Sequence, residues 1–458
     1  MFVVQAQIQF HGCDEFGPTR QSTTLSSNGI RLKLSLEWSS RVLSKSSFGN
    51  LPTTMSDLRL TDDSRSARQS LLRDGCITRT FITMIRPSHS IFVLSLSLFC
   101  VLIAHAQDKP APQYFEDDVA NSNPLRTEQA RELDAYIIAQ KNDRTRLEKT
   151  LAADYSSPAA FEKSAQSYRQ AFADSIGYPP PGRVDQSGAT FKQIGEDDIG
   201  TYYRAMIPVL PGVHAEGIYI IPKSLKAGAK APLVISMHGG GGSPEVALFK
   251  GGANYHDMVR GGVKRGYIVF APQHLFSAEG FPKDVRNRTD ERLRLIGTSL
   301  TAVEIAKITH SLDVLLKRPE VDASRVGMVG LSYGGYYALV TPALDPRIKV
   351  TVCSCYYGVQ EGRYERDELS IPSDFKFKDR FALFRDSDIV ALICPRACQI
   401  QAGSKDGVDH RDAGKPQAII SAEYYSKLKL ADHFQHLIFE GGHEFHDPSA
   451  WEFVAKHL

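Results

Sequence analysis

The chain has 458 residues, 42% hydrophobic and 23% charged, with a formal net charge of +2. That balance is ordinary for a globular protein and excludes a nucleic-acid surface built on surplus Lys and Arg. No internal repeat or low-complexity tract stands out.

Residues 1–83 are rich in Ser and Arg and show no sustained helix or strand period. Residues 91–104, IFVLSLSLFCVLIA, form an uncharged apolar run. Met84 and Arg86 stand before it, and Ala104-His105-Ala106 after it. Basic start, apolar centre and small-x-small end are the three parts of a secretory signal. The run is shorter than the ~20 residues of a spanning helix. The expectation is a signal peptide over 84–106, secretion or periplasmic export, and no membrane span after cleavage. Residues 1–83 then read as disordered or as an over-extended gene-model start. A cytoplasmic tail ahead of a signal anchor is the rival reading.

Residues 107–189 read as a polar leader followed by two helical stretches, about Thr127–Ala153 and about Ser157–Ile176. Leu133, Tyr136, Ile137 and Leu147 give the first a partial apolar stripe. Tyr178-Pro179-Pro180-Pro181-Gly182 closes the helical region. From about 190 the pattern changes. Tyr202–Val209 and His214–Ile221 predict a hairpin across Leu210-Pro211-Gly212. Apolar runs then alternate with helical patterns: PLVISMH, YIVFAPQ, a helix about Ser299–Leu316, RVGMVG, a short helix, VTVCSC, CQIQAG, a helix about Pro416–Leu428, HLIFEGG and a helix about Ser449–Leu458. Short continuous apolar runs separated by helices predict a mostly parallel, doubly wound α/β sheet buried on both faces. The catalytic domain is placed at 190–458. In such sheets, function gathers at the carboxyl ends of strands.

Four strand ends carry reactive residues. RVGMVG runs into Gly330-Leu331-Ser332-Tyr333-Gly334, a G-x-S-x-G turn that lifts a serine hydroxyl above the sheet. PLVISM runs into His238-Gly239-Gly240-Gly241-Gly242. Glycine amides there, from Gly239, Gly240 or Gly241, can face a substrate oxygen beside the Tyr333 N–H. No G-K-[ST] follows, which disfavours a phosphate loop, and His238 reads as a structural strand-end residue. CQIQAG leads to Asp406, with Asp409 and Asp412 as fallbacks. HLIFEGG leads to His443, with His446 as the alternative. Ser332, Asp406 and His443 thus form a candidate nucleophile, acid and base. A His-x-x-His metal reading of His443 and His446 lacks further ligands, and no metal or organic cofactor is expected.

Four of the seven cysteines lie beyond residue 106: Cys353, Cys355, Cys394 and Cys398. Strand alternation predicts Cys353 and Cys355 on one face. Both a disulfide and buried free thiols fit, and no histidine spacing beside them suggests zinc.

From about 170 to 458 the chain resembles the α/β-hydrolase superfamily, closest to dienelactone-hydrolase-like and acetyl-xylan-esterase-like proteins. The resemblance rests on KRPEVDASRVGMVGLSYGGYYAL, LDPRIKV, GSKDGVD and FEGGHEF. It implies nucleophile Ser332, acid Asp406 and base His443, and a serine esterase acting on small or carbohydrate esters. Many dienelactone hydrolases have cysteine as nucleophile; serine here speaks against dienelactone as substrate. Prolyl-oligopeptidase-type peptidases share such a domain but carry a β-propeller before it, and 107–190 is too short and too helical for one. A serine peptidase or amidase, and a non-catalytic binding protein on the same scaffold, are the competing functions. The segments Gln273–Glu291 and Tyr356–Asp388 are expected to wall the substrate pocket. Oligomeric state is left open.

Overall fold

The computed structural model describes residues 23–27, 30–34, 113–249, 254–358, 372–408 and 410–458. Two compact units divide the chain after Gln113. In the first, β1 (Thr23–Ser27) pairs antiparallel with β2 (Ile30–Leu34). The expected signal segment lies outside the described residues.

The second unit, Tyr114–Leu458, is built on one nine-stranded sheet. Its strands are β3 (Thr190–Glu196), β4 (Gly200–Leu210), β5 (Val213–Pro222), β6 (Ala231–Met237), β7 (Ile268–Pro272), β8 (Val321–Leu331), β9 (Val350–Ser354), β10 (Ala397–Gly403) and β11 (Phe434–Phe439). The spatial order is β11-β10-β9-β8-β6-β7-β5-β4-β3. The six strands from β6 onward pair in parallel, while β3, β4 and β5 form an antiparallel flank joined to β7.

Every residue of β6, β7, β9 and β10 is buried, as continuous apolar runs demand of a sheet covered on both faces. Alternation sorts their side chains into two cores. Leu233, Ile235 and Met237 of β6 join one cluster and Val234 the other. Strand β3 escapes the sequence pattern because its residues, TFKQIGE, are almost all exposed at the sheet edge.

The helices depart from expectation in several places. The expected helix over 127–153 is two, Asn123–Asn142 and Thr145–Leu151. They part at Asp143, whose carboxylate takes the N–H and hydroxyl of Thr145 at 2.9 and 2.7 Å. The apolar stripe of the first, Leu133, Tyr136 and Ile137, is exposed, and only Leu147 and Leu151 of the second are buried. The stretch 157–176 likewise divides at Ala165. A helix Lys283–Leu295, not expected from the apolar pattern, overlaps the segment Gln273–Glu291 expected to wall the pocket. Asp284–Arg288 and Asp290–Arg294 pairs, one turn apart, support it despite its polarity.

The helices between residues 145 and 176 are part of the core. Phe161, Tyr168, Phe172 and Ile176 belong to the same buried cluster as Tyr336 and Phe384. Phe172 rests against Phe377 and Phe384 at ring separations of 5.7 and 5.2 Å. Arg169 donates to the carbonyls of Ala343 and Leu392 at 2.8 and 2.9 Å. Among the described residues no helix is long and apolar enough to cross a membrane.

Phe172→Ala should therefore lower stability by about 3–5 kcal/mol, while Leu133→Ala on the exposed helix should change it by roughly 0.5 kcal/mol or less. Urea unfolding of both variants measures this; equal effects would detach the N-terminal helices from the core.

Candidate active site

Ser332 follows β8 and precedes the helix Tyr333–Leu344. Its φ and ψ are 59° and −117°, a conformation that L residues rarely adopt. The flanking glycines make it possible. A Cβ on Gly330 would lie 2.2 Å from the Gly334 carbonyl oxygen, and one on Gly334 would lie 2.3 Å from that of Met237. Only hydrogen fits either place. The Ser332 N–H donates to the Ser354 carbonyl at 2.7 Å, fixing the turn to the end of β9.

The glycine loop after β6 lies beside this turn: an added Cβ on Gly239 would meet Ser332 Cβ at 3.5 Å. One candidate donor there is already engaged. The Gly239 N–H donates to the Tyr255 hydroxyl at 2.9 Å. Gly240, under the ring of Phe276, and Gly241, at φ 72°, are the loop amides left for an oxyanion, beside the helix-starting amide of Tyr333. His238 is structural, as expected. It stacks on His274 at 3.8 Å, and burial pushes its pKa down to about 4. It is thus uncharged at neutral pH.

On the other side of β8, the next strands supply an acid and an imidazole. His443 Nδ1 donates to Asp406, 3.0 and 2.9 Å from the two carboxylate oxygens. The Asp406 side chain is fully buried and that of His443 is 29% exposed. Burial alone would raise the Asp406 pKa. The hydrogen bonds from His443 and the Val408 N–H outweigh it and hold the group below the usual carboxylate range. The fallbacks fare otherwise. Asp412 pairs with Arg411 and Lys415, His446 bonds Ser449 at 2.7 Å and stacks on Phe439, and Asp409 lies outside the described residues.

Sequence reasoning missed the supports of these groups. The Ser354 hydroxyl donates to the Glu444 carbonyl at 3.1 Å, so the residue that anchors the Ser332 turn also anchors the loop of His443. The Glu444 side chain accepts from the Gly442 N–H at 3.0 Å and pairs with His256 at 2.7 Å. The Phe445 N–H adds a bond to the Asn254 carbonyl at 2.8 Å. Behind Tyr333, Arg286 and Asp374 form a fully buried ion pair. The Tyr333 hydroxyl donates to Asp374 at 2.6 Å and accepts from Arg286 at 2.7 Å. The Arg286 guanidinium lies over the Phe276 and Tyr333 rings at 4.9 and 5.0 Å. Only the folded chain brings these residues together; Phe276, Arg286 and Asp374 fall in the two segments expected to wall the pocket, and the other supports lie outside them.

All four cysteines are free and buried, the second of the two expected arrangements. The expected shared face is not found. Cys353 and Cys355 lie in opposite cores, because Cys355 has φ 53° just past the end of β9 and breaks the strand alternation.

Removing one member of a buried ion pair strands the other. Arg286→Met should cost about 3–5 kcal/mol near neutral pH. Burial already pushes the Asp374 pKa up, and losing Arg286 raises it further, so protonation favours the folded variant. The deficit should narrow as pH falls through that raised pKa. Urea unfolding across pH tests this, and a pH-independent deficit would rule out the ionic account.

Residues 224–377 match the model of the dienelactone hydrolase family. The Bacillus subtilis protein YtaP, a candidate hydrolase, is 31% identical over 136 residues, 29% of this chain and 44% of its own length. The matched part thus spans under half of that relative. A candidate acetyl xylan esterase from Bacteroides fragilis superposes with a TM-score of 0.51 at 17% identity, covering 67% of this chain and 82% of that one. A methylesterase superposes with a TM-score of 0.53 at 18% identity, over 69% and 68% of the two chains. By architecture the chain has the α/β-hydrolase fold, and its central third is similar to the dienelactone hydrolase family.

Proposed function

We propose that this protein is an exported serine hydrolase that cleaves carboxylic esters. The observation that carries the reading is the buried Asp406–His443 pair standing two strands and more from the strained Ser332 turn, on a sheet whose end ties both together through Ser354. In this reading His443 takes the Ser332 proton as the hydroxyl attacks the ester carbonyl. Asp406 holds the imidazole with Nδ1–H toward itself, leaving Nε2 as the base, and stabilises the imidazolium that forms. Amides of Gly240, Gly241 and Tyr333 receive the oxyanion, each worth roughly 3–4 kcal/mol in comparable sites. His443 then protonates the departing alcohol, and water, activated by the same imidazole, releases the acid and restores Ser332. Every step uses side chains and amides of this chain.

The structural relative named as acetyl xylan esterase supports acyl esters of carbohydrates as the substrate class, and the one named as methylesterase adds methyl esters. The apolar run 91–104 and the Ala104-His105-Ala106 site support export.

Ser332→Ala should keep the fold and lose at least about 10⁴-fold in ester turnover. A fluorophosphonate probe should label the natural protein at Ser332 and leave the variant unlabelled. Unchanged turnover would eliminate this nucleophile, and an unreactive natural protein would favour a binding role. Rates on p-nitrophenyl acetate, acetylated sugars and methyl uronates should exceed those on aminoacyl p-nitroanilides; the reverse order would make it an amidase or peptidase.

A further inference from the structure

One buried thiol has no part in the proposed chemistry yet lies beside it. The positive φ of Cys355 turns its side chain out of the strand alternation and under the loop that carries His443. Its Sγ donates to the Glu444 carbonyl at 3.3 Å and faces that of Gly442 at 4.0 Å. Ligand atoms of Cys355, Asp406 and His443 all lie within 4.8 Å of one another. Among the described residues it is the grouping of three such donors that the fold assembles.

We infer that Cys355, Asp406 and His443 form an inhibitory site for a soft divalent cation, zinc or cadmium. The donor set is one sulfur, one nitrogen and one carboxylate oxygen, the combination that zinc takes in tetrahedral sites. The charges balance: a thiolate and a carboxylate neutralise a dication, and a neutral imidazole adds none. Coordination expels the thiol proton to solvent, although burial holds the free thiol pKa up at about 12. One proton leaves per cation bound. Glu444 and Gly442 carbonyls, or water, are at hand for the fourth position.

The consequence for catalysis follows from the tautomer. A cation on His443 takes the Nδ1 lone pair, so the ring proton resides on Nε2. An imidazole protonated there cannot accept the serine proton. The cation also occupies the carboxylate that orients the ring. Inhibition therefore rests on the proposed catalytic role, whereas binding does not.

The test uses the full protein, natural and as Cys355→Ser, with Cys398→Ser as a control in the opposite core. Cadmium titration should give the ultraviolet thiolate-to-cadmium absorption in the natural protein and in Cys398→Ser, and none in Cys355→Ser. Proton release should be one per cadmium bound, read from the buffer dependence of the binding heat. Zinc should inhibit ester turnover, reversibly with a chelator, and Cys355→Ser should need at least about tenfold more, the scale on which even outer partners of a metal site act. Absorption surviving Cys355→Ser, or equal zinc sensitivity of the two proteins, would overturn the site. Should Cys355→Ser not fold, Cys355→Ala takes its place. An inactive protein that still shows the Cys355-dependent absorption would sink the esterase reading and leave the metal site standing.

Discussion

The left-handed backbone of Ser332 is the constraint on which the site depends. A residue so strained persists only where its surroundings over-determine it. Gly330 and Gly334 let the strand, the turn and the end of β6 approach to distances that a methyl group would forbid. The Ser332 N–H then docks on Ser354 at the end of β9. The same close approach draws the glycine loop to one side of the serine and the Glu444 backbone to the other. The strand order does the rest: β6 lies next to β8 on one side, and β9, β10 and β11 follow on the other. The glycine loop and the Asp406–His443 pair thus stand at strand ends on opposite sides of β8.

A second layer holds that geometry in place, and it is expensive. Arg286 and Asp374 are wholly out of water, and an ion pair there often breaks even against apolar packing. Tyr333, Tyr337 and Thr301 satisfy most of the carboxylate and its backbone, and two aromatic rings face the guanidinium. Its effect is to lock the Tyr333 ring, and with it the first turn of the helix whose amide stands beside Ser332. The clamp of Glu444 on His256 and Gly442 plays the corresponding part for the loop of His443.

The central strands and the placement of Ser332, Asp406 and His443 were legible because they obey local rules. A buried parallel strand must be apolar throughout, and a sharp strand-to-helix turn must be flanked by glycine. What escaped notice obeys rules of another kind. Strand β3 is exposed and carries no apolar alternation. The helix Lys283–Leu295 is held by ion pairs and by tertiary burial of Arg286 and Asp290. Cys355 leaves its expected face through one backbone angle, and the Gly239 amide is taken by Tyr255, a partner distant in sequence. Only the i,i+4 charge pairs of the helix Lys283–Leu295 leave a short-range pattern to read; the others leave none.

The N-terminal helices bear on how the molecule comes into being. Arg169 closes its hydrogen bonds on Ala343 and Leu392, 174 and 223 positions farther along the chain. Tyr168 likewise bonds the Leu383 carbonyl. Contacts of such separation close late and slow folding, since loop closure precedes any gain from packing. Among the described residues, the helices that pack earliest in the chain, over residues 145–176, are therefore among the last to find their seats. Until residue 384 has been made, Tyr168 and Phe172 lack the ring that covers them, and Phe161 waits for Tyr424; apolar surface left open for so long is the kind that draws a nascent chain into wrong contacts.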